Sequence, residues 1–109
     1  QPARLWCVFQ PHQHSRTRFL MHQFATSFSQ ADIVIAADIY FVRDSEQERQ
    51  AVTAGDLVEA LRAHGVQAMH IHPLDAIVEQ LNVLARPGDL VVTMGAGDIW
   101  RVARDFLQP

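Results

Sequence analysis

Residues 5–9 read Leu-Trp-Cys-Val-Phe, an unbroken apolar run that stops at the polar sequence Gln10-Pro11-His12. A short continuous run rich in β-branched and aromatic residues is typical of a strand buried on both faces of a parallel sheet. Similar runs recur at residues 33–37 and 90–94, and a weaker one covers residues 66–71. We therefore predict four such strands.

Apolar residues spaced three and four positions apart predict a helix after each strand, through residues 20–28, 54–61, 77–84 and 99–106. The charged residues 43–50 are interpreted as a long connection between the second strand and the second helix. The alternation of strands and helices implies right-handed crossovers. The predicted fold is a Rossmann-like, three-layer α/β domain with a mainly parallel sheet and helices on both faces.

Thr53, followed three residues later by Asp56, has the pattern of a capping box at the beginning of the second helix. Gly65 and the pair Pro87-Gly88 are stop signals for the second and third helices. The start and stop signals therefore agree with the helices predicted from the apolar spacing.

The composition is that of one ordinary globular domain. The chain has 109 residues, of which 49% are hydrophobic and 19% charged, with a net charge of -3. Such a balance argues against disorder, and the absence of a basic patch argues against a nucleic-acid partner. No apolar run reaches the roughly 18 residues that a membrane span needs. Cys7 is the only cysteine, which excludes an intrachain disulfide and fits a reducing cytoplasm.

Polar side chains follow every predicted strand: Gln10–Thr17, Asp38–Tyr40, His70 with His72, and Gly95–Asp98. In an open α/β sheet, ligands bind beyond the carboxyl ends of the strands, and those ends share one edge. The sequence therefore predicts a ligand site at this edge. The alternative is that these are ordinary polar loops, which any α/β domain has at its strand ends.

Arg16 is the most informative cation, because it lies where the first helix is predicted to begin. Helix N-termini favour anions, so a cation there suggests that it holds a carboxylate or phosphate; the alternative is a surface arginine. Gly95-Ala96-Gly97 has two interpretations as well. Its backbone N–H groups suit an anion at a helix N-terminus, or it is a tight strand-to-helix turn.

The pairs His12/His14 and His70/His72 each have the spacing to chelate a metal from extended backbone. Because no cysteine or carboxylate completes a known ligand spacing, we predict no metal site and interpret these histidines as solvated or capping. Asp38 is a candidate acid or base, but exposed loop carboxylates are common. The sequence also lacks G-x-x-x-x-G-K-[ST], so the chain does not cradle a triphosphate in the P-loop manner by itself.

Four motifs carry a resemblance: Phe9-Gln10-Pro11-His12, Ser15-Arg16-Thr17-Arg18, Asp38-Ile39-Tyr40 and Gly95-Ala96-Gly97-Asp98-Ile99. Their order and spacing resemble the C-terminal domain of the Mur ligases, in the branch that joins L-alanine to UDP-N-acetylmuramate. The resemblance covers nearly the whole chain, and the first two motifs are its most specific part. It implies that residues 1–109 are one domain of a longer, three-domain enzyme.

The resemblance implies an ATP-dependent amide-forming ligase of peptidoglycan precursor synthesis that works through an acyl phosphate. Its partners would be UDP-N-acetylmuramate, L-alanine and ATP with Mg²⁺, held mainly by upstream domains, so the isolated domain would be inactive. His12 and Arg16 would be catalytic. The residues that bind substrate or nucleotide would be Gln13, Asp38, Tyr40, Arg43, Gly95 and Gly97.

The chain departs from the family pattern in two loops. Gln13 replaces the arginine that usually follows Pro-His, and His14 replaces an aromatic residue. Arg43 lies where the family has small residues, and we hypothesise that it supplies the charge lost at Gln13. Two other functions stay open on the sequence: a stand-alone Rossmann-type module that binds a nucleotide or anion without catalysis, and a structural or oligomerising domain.

Overall fold

A computed structural model describes residues 3–12, 17, 21–23, 28, 30–40, 45–95 and 97–107. Within these residues, four strands form one parallel sheet in the order β3-β2-β1-β4. Their bounds are β1 (Leu5–Gln10), β2 (Ile33–Ala36), β3 (Ala68–His70) and β4 (Leu90–Gly95). The predicted α/β class is confirmed, and the apolar run at residues 5–9 forms a central strand.

The described helices follow the strands as predicted, with one addition. They are α1 (Glu46–Ala51), α2 (Ala54–Ala63), α3 (Leu74–Leu84), a 3₁₀ turn (Gly97–Ile99) and α4 (Trp100–Leu107). The interpretation of residues 43–50 as a charged connection is wrong over α1, because strong helix formers such as Glu and Gln make a short helix there without an apolar stripe. Thr17 and residues 21–23 are helical; most of the predicted first helix lies outside the described residues.

The predicted capping box at α2 is present with both of its hydrogen bonds. The backbone N–H of Asp56 donates to Thr53 Oγ1 over 3.2 Å, and the N–H of Thr53 donates to Asp56 Oδ2 over 2.9 Å. Gly65 takes a φ of +82° just after the helix, the left-handed conformation that ends many helices. Local sequence signals therefore determine both ends of α2.

Two apolar cores lie on opposite faces of the sheet. On one face α3 and α4 cover Trp6 and Val8, and the fully buried Ile77, Leu81 and Val102 fill the space between. On the other face α2 covers β2 and β3, with Leu57 and Leu61 buried against them. This arrangement of helix, sheet and helix is the predicted three-layer architecture.

β4 is less buried than predicted. Its residues Leu90, Val92 and Met94 are exposed, although the apolar run suggested burial on both faces. The reason is position: β4 is the outer strand beside β1, and among the described residues α2 lies over β2 and β3 rather than over β4. The apolar run identified a strand correctly but did not reveal that the strand lies at an edge.

At the amino edge of the sheet, Asp89 joins β1 to the start of β4. Its carboxylate accepts hydrogen bonds from the backbone N–H of Arg86, the indole Nε1 of Trp6, and both the backbone and guanidinium of Arg4. These bonds, the one from Arg86 first, hold the pKa of Asp89 far below its ordinary value. The guanidinium of Arg4 also lies 5.1 Å from the centre of the Trp6 ring.

No helix in the described part of the chain combines the length and the apolar character that crossing a membrane requires.

Candidate functional site

The strand order places a topological switch point at the carboxyl ends of β1 and β4. The chain leaves β1 for β2 and β3 on one side, then crosses back to form β4 on the other side of β1. Strand order therefore makes the connections after β1 and β4 separate at this point, and open α/β sheets bind ligands in the crevice expected at such a switch point. The loop after β1 begins at Pro11, and the one after β4 begins at Gly95.

Gln10 and Gly95 are neighbours in the β1–β4 register, at the point where the two connections separate. Gly95 has a φ of +131°, and a Cβ atom there would lie 2.3 Å from the backbone oxygen of Gln10. Only glycine allows this approach, since real Cβ atoms keep well beyond that distance. Gly95 is therefore required by the packing of the turn, in agreement with the tight-turn interpretation.

Gly97, Tyr40 and His12 form the next layer of the same crevice. A Cβ atom on Gly97 would lie 2.7 Å from the Tyr40 ring, so the missing side chain leaves the space that the ring occupies. The N–H of Tyr40 donates to Pro11 O over 2.8 Å, and the His12 and Tyr40 rings lie 5.7 Å apart. His12 is exposed and Tyr40 is 38% exposed, so this layer faces solvent.

The Gln10 side chain is buried beneath this layer, with 8% of its surface exposed. Its Nε2 donates to the backbone oxygen of Asp38 over 3.2 Å, and among the described residues its Oε1 has no hydrogen-bond partner. Leaving a buried acceptor unpaired costs about 1–3 kcal/mol. Gln10 was not among the predicted site residues, because the strand order that makes it central is not readable from the sequence.

Asp38, after β2, is held by two histidines after β3. Asp38 Oδ1 lies 2.5 Å from His70 Nε2, and Asp38 Oδ2 lies 2.9 Å from His72 Nδ1. The H-x-H spacing therefore places one imidazole at each oxygen of the Asp38 carboxylate. The Asp38 side chain is half exposed, so the cluster borders solvent at the same edge as the crevice.

The structure brings five predicted site residues to one edge: His12, Asp38, Tyr40, Gly95 and Gly97. Gln13, Arg16 and Arg43 lie outside the described residues. In the described ranges, no three His, Cys, Asp or Glu side chains are arranged to hold a metal ion. These residues do not fit a site for Mg²⁺, and the sequence has no P-loop motif that would cradle a triphosphate.

A separate apolar groove of about 300 Å³ lies on the sheet face beside β4, away from the polar edge. It is lined by Cys7, Phe9, Phe28, Val92 and Met94 among others. Burial raises the pKa of the Cys7 thiol to about 11, so at neutral pH this sulfur is protonated and a poor nucleophile. The groove is therefore an apolar surface in which the Cys7 thiol is buried and unreactive.

The sequence matches the family model described as "Mur ligase, glutamate ligase domain" over residues 1–97. It is 42% identical over 105 residues to the UDP-N-acetylmuramate–L-alanine ligase of Acetivibrio thermocellus, and 43% identical over 105 residues to that of Clostridium novyi. Each match covers 96% of this chain and 22% of the relative. The chain therefore spans under a quarter of the length of these relatives.

The fold is similar to a region of the UDP-N-acetylmuramate-alanine ligase of Thermotoga maritima, solved by crystallography. The TM-score is 0.63 at 22% identity, and the match covers 96% of this chain and 20% of that one. At this identity the likeness concerns the fold, which agrees with the α/β architecture described above.

Proposed function

The chain belongs to the Mur ligase family, and we propose that it is the C-terminal domain of an ATP-dependent ligase that adds L-alanine to UDP-N-acetylmuramate. The observation that carries this proposal is identity of 42% to such a ligase over 96% of the chain. The polar crevice at the carboxyl edge supports it, since it provides a surface where substrates held by another part of the enzyme would react. In this proposal the protein is cytoplasmic and serves peptidoglycan precursor synthesis.

The upstream part of the enzyme would hold the UDP-sugar, ATP and Mg²⁺. Two observations support that division: the chain spans 22% of its relatives, and neither its described residues nor its motifs suit a triphosphate or its metal. ATP would phosphorylate the muramate carboxylate, and the amine of L-alanine would attack the acyl phosphate. The isolated domain would then be inactive, because it lacks the groups that activate the acid.

The contribution of this domain would be to bind, orient and exclude water. Arg16 would hold the alanine carboxylate or offset charge on the acyl phosphate, for which a planar guanidinium is suited. His12, packed beside Tyr40, would face the same substrates. Asp38 and Gly97 with its turn would line the crevice, and closure of the domain would keep water from hydrolysing the acyl phosphate.

Phosphate release tests the proposal. The full-length ligase is assayed with ATP, Mg²⁺ and UDP-N-acetylmuramate, with and without L-alanine, as wild type and as Arg16→Ala. We expect alanine-dependent release that falls by roughly a hundredfold in the variant, about 2.7 kcal/mol of transition-state stabilisation. Arg86→Ala, an exposed arginine at the opposite edge of the sheet, is the matched control and should keep the wild-type rate.

Two other results have distinct meanings. If Arg16→Ala releases phosphate at the wild-type rate, the proposed ligase activity stands but the proposed role of Arg16 in its active site is wrong. No alanine-dependent release from the wild type would favour the stand-alone binding module, which would instead show ligand binding by the isolated domain. A structural or oligomerising domain would show neither release nor a ligand-dependent rise in melting temperature.

We further propose that Gln13 and Arg43 contribute to substrate binding, with Arg43 supplying the charge that Gln13 lacks. The support is the sequence pattern, in which one basic residue is absent from the first loop and one is gained in the second. Arg43→Ala should then raise the apparent KM for L-alanine or ATP. Unchanged KM values for both substrates would contradict the compensation.

A further inference from the structure

The buried amide of Gln10 is satisfied on one side only. Its Nε2 donates to Asp38 O, while no donor in the described part of the chain pairs with its Oε1. Proteins rarely leave a buried acceptor unpaired unless a ligand, a water molecule or a functional constraint completes it. The Gln10 side chain, at the carboxyl end of the central strand β1, is more than nine-tenths buried.

The position of Oε1 connects it to the crevice. It lies 3.1 Å from where a Cβ atom of Gly97 would be, and the Tyr40 ring approaches the same point to 2.7 Å. The oxygen therefore lies close to the bare backbone of Gly97, beside a ring that is itself 38% exposed. For a substrate to reach this oxygen, the Tyr40 ring has to turn toward solvent.

We infer that Gln10 is a specificity-determining residue whose Oε1 accepts a hydrogen bond from the amine of the α-amino acid substrate. The inference rests on the proposed ligase function and names the group that would recognise the nucleophile. An amide oxygen accepts and does not donate, so it suits an N–H group rather than a carboxylate or phosphate. Fixing one N–H of the amine also fixes where the nitrogen lone pair points, which an attack on an acyl carbon requires.

The structure also explains why the residue is glutamine. The Nε2 bond to Asp38 O prevents the amide from rotating, so that its oxygen faces Gly97. The same backbone leads through residue 39 to Tyr40, whose ring covers the oxygen. The alternative is a purely structural role for Gln10. In that case Oε1 receives only a weak contact from the Cα hydrogens of Gly97, and the side chain supports the turn without binding substrate.

Substrate analogues with and without an amine separate these two roles. In the full-length ligase with saturating ATP and UDP-N-acetylmuramate, the KM for L-alanine is measured together with the inhibition constant of propionate, which has the carboxylate but no amine. Gln10→Met keeps the length of the side chain and removes its acceptor. Gln67→Met, an exposed glutamine that precedes β3, is the matched control.

We expect Gln10→Met to raise the KM for L-alanine about tenfold or more while propionate inhibition changes by less than about twofold. Gln67→Met should leave both values within about twofold of wild type. Gln10→Leu also removes the acceptor, in a side chain of different shape, and should raise the KM for L-alanine without a matching change in propionate inhibition. This second variant serves if Gln10→Met does not fold.

The inference is overturned if L-alanine and propionate weaken equally in Gln10→Met, since that is the signature of a structural residue. It is equally overturned if neither value changes in a folded Gln10→Met or Gln10→Leu variant. A wild-type enzyme without alanine-dependent activity is a separate result, because it removes the proposed ligase function itself.

Discussion

The indole Nε1 of Trp6 donates a 2.9 Å hydrogen bond to Asp89 Oδ2 and so fastens the central strand to the turn that opens β4. Trp6 lies in the core with 1% of its surface exposed. It also has this polar function, which a buried indole N–H usually needs. The guanidinium of Arg4 and the backbone N–H of Arg86 donate to the same carboxylate. Asp89 therefore connects Arg4 and Trp6 to the turn before β4 at the amino edge of the sheet.

We expect Asp89→Asn to lower the melting temperature and to weaken its dependence on acid. The pKa of Asp89 is lowered in the folded chain, so the carboxylate contributes stability above its ordinary pKa of about 4, and that contribution is lost as the pH falls below it. Melting followed by circular dichroism between pH 6 and pH 2 measures this. Glu79→Gln, an exposed carboxylate on α3, is the control; equal pH dependence in Asp89→Asn and wild type would contradict the prediction.

Cys7 should resist thiol reagents in the folded chain. With a pKa of about 11, roughly one thiol in a thousand is ionised at pH 8, against about a quarter for an ordinary cysteine. Reaction with a chromogenic disulfide at pH 8 should therefore be at least about a hundredfold slower than in urea, where the thiol is exposed and unperturbed. Similar rates with and without urea would show that burial does not protect this sulfur.

Two glycines should respond in opposite directions to alanine. Gly95→Ala introduces a Cβ 2.3 Å from Gln10 O at a φ of +131°, so we expect a loss of about 1–3 kcal/mol or more in unfolding free energy. Gly55→Ala lies in α2, where a Cβ would meet Thr53 Oγ1 at an ordinary 3.5 Å, and should gain about 0.5–1 kcal/mol. Urea titration of both variants tests the pair; a tolerated Gly95→Ala would mean that the turn is not fixed by this contact.

Removing the cap of α2 should cost about 1 kcal/mol of unfolding free energy, since Thr53→Ala leaves the N–H of Asp56 without its side-chain acceptor. Thr53→Ser keeps the hydroxyl group, so its unfolding free energy should fall by only a few tenths of a kcal/mol. The comparison by chemical denaturation isolates the hydrogen bond from the change in side-chain size. Equal losses in the two variants would assign the effect to the methyl group instead.

The sequence predicted the layers of this fold because burial leaves a direct trace in it. Ile33, Ile35 and Val8 are almost wholly buried, and the apolar runs that contain them mark them as central strands. The edge position of β4 left no comparable trace, since Val92 and Met94 are as apolar as the residues of a buried strand. Helix α1 was missed for the converse reason: it has helix-forming residues but no apolar stripe.

The sequence predicted where in the fold the candidate site lies, but it did not predict which side chains contact one another there. Parallel strands bring their carboxyl ends to one edge, so the convergence of His12, Asp38 and Tyr40 followed from strand order along the chain alone. The topological switch point beside Gln10 could not be predicted in this way, because it depends on which side of β1 pairs with β4. Nor did spacing show that His70 would contact Asp38.

The pairing of β1 with β4 also bears on how the chain is made. Leu5 lies beside Leu90, so β1, the first of these four strands in the chain, gains its second neighbour only when β4, the last of them, has been made. Contacts between residues so distant in sequence close late and slow folding. Until β4 is made, β1 has only β2 beside it in the sheet, which leaves its other edge open to pairing with other chains.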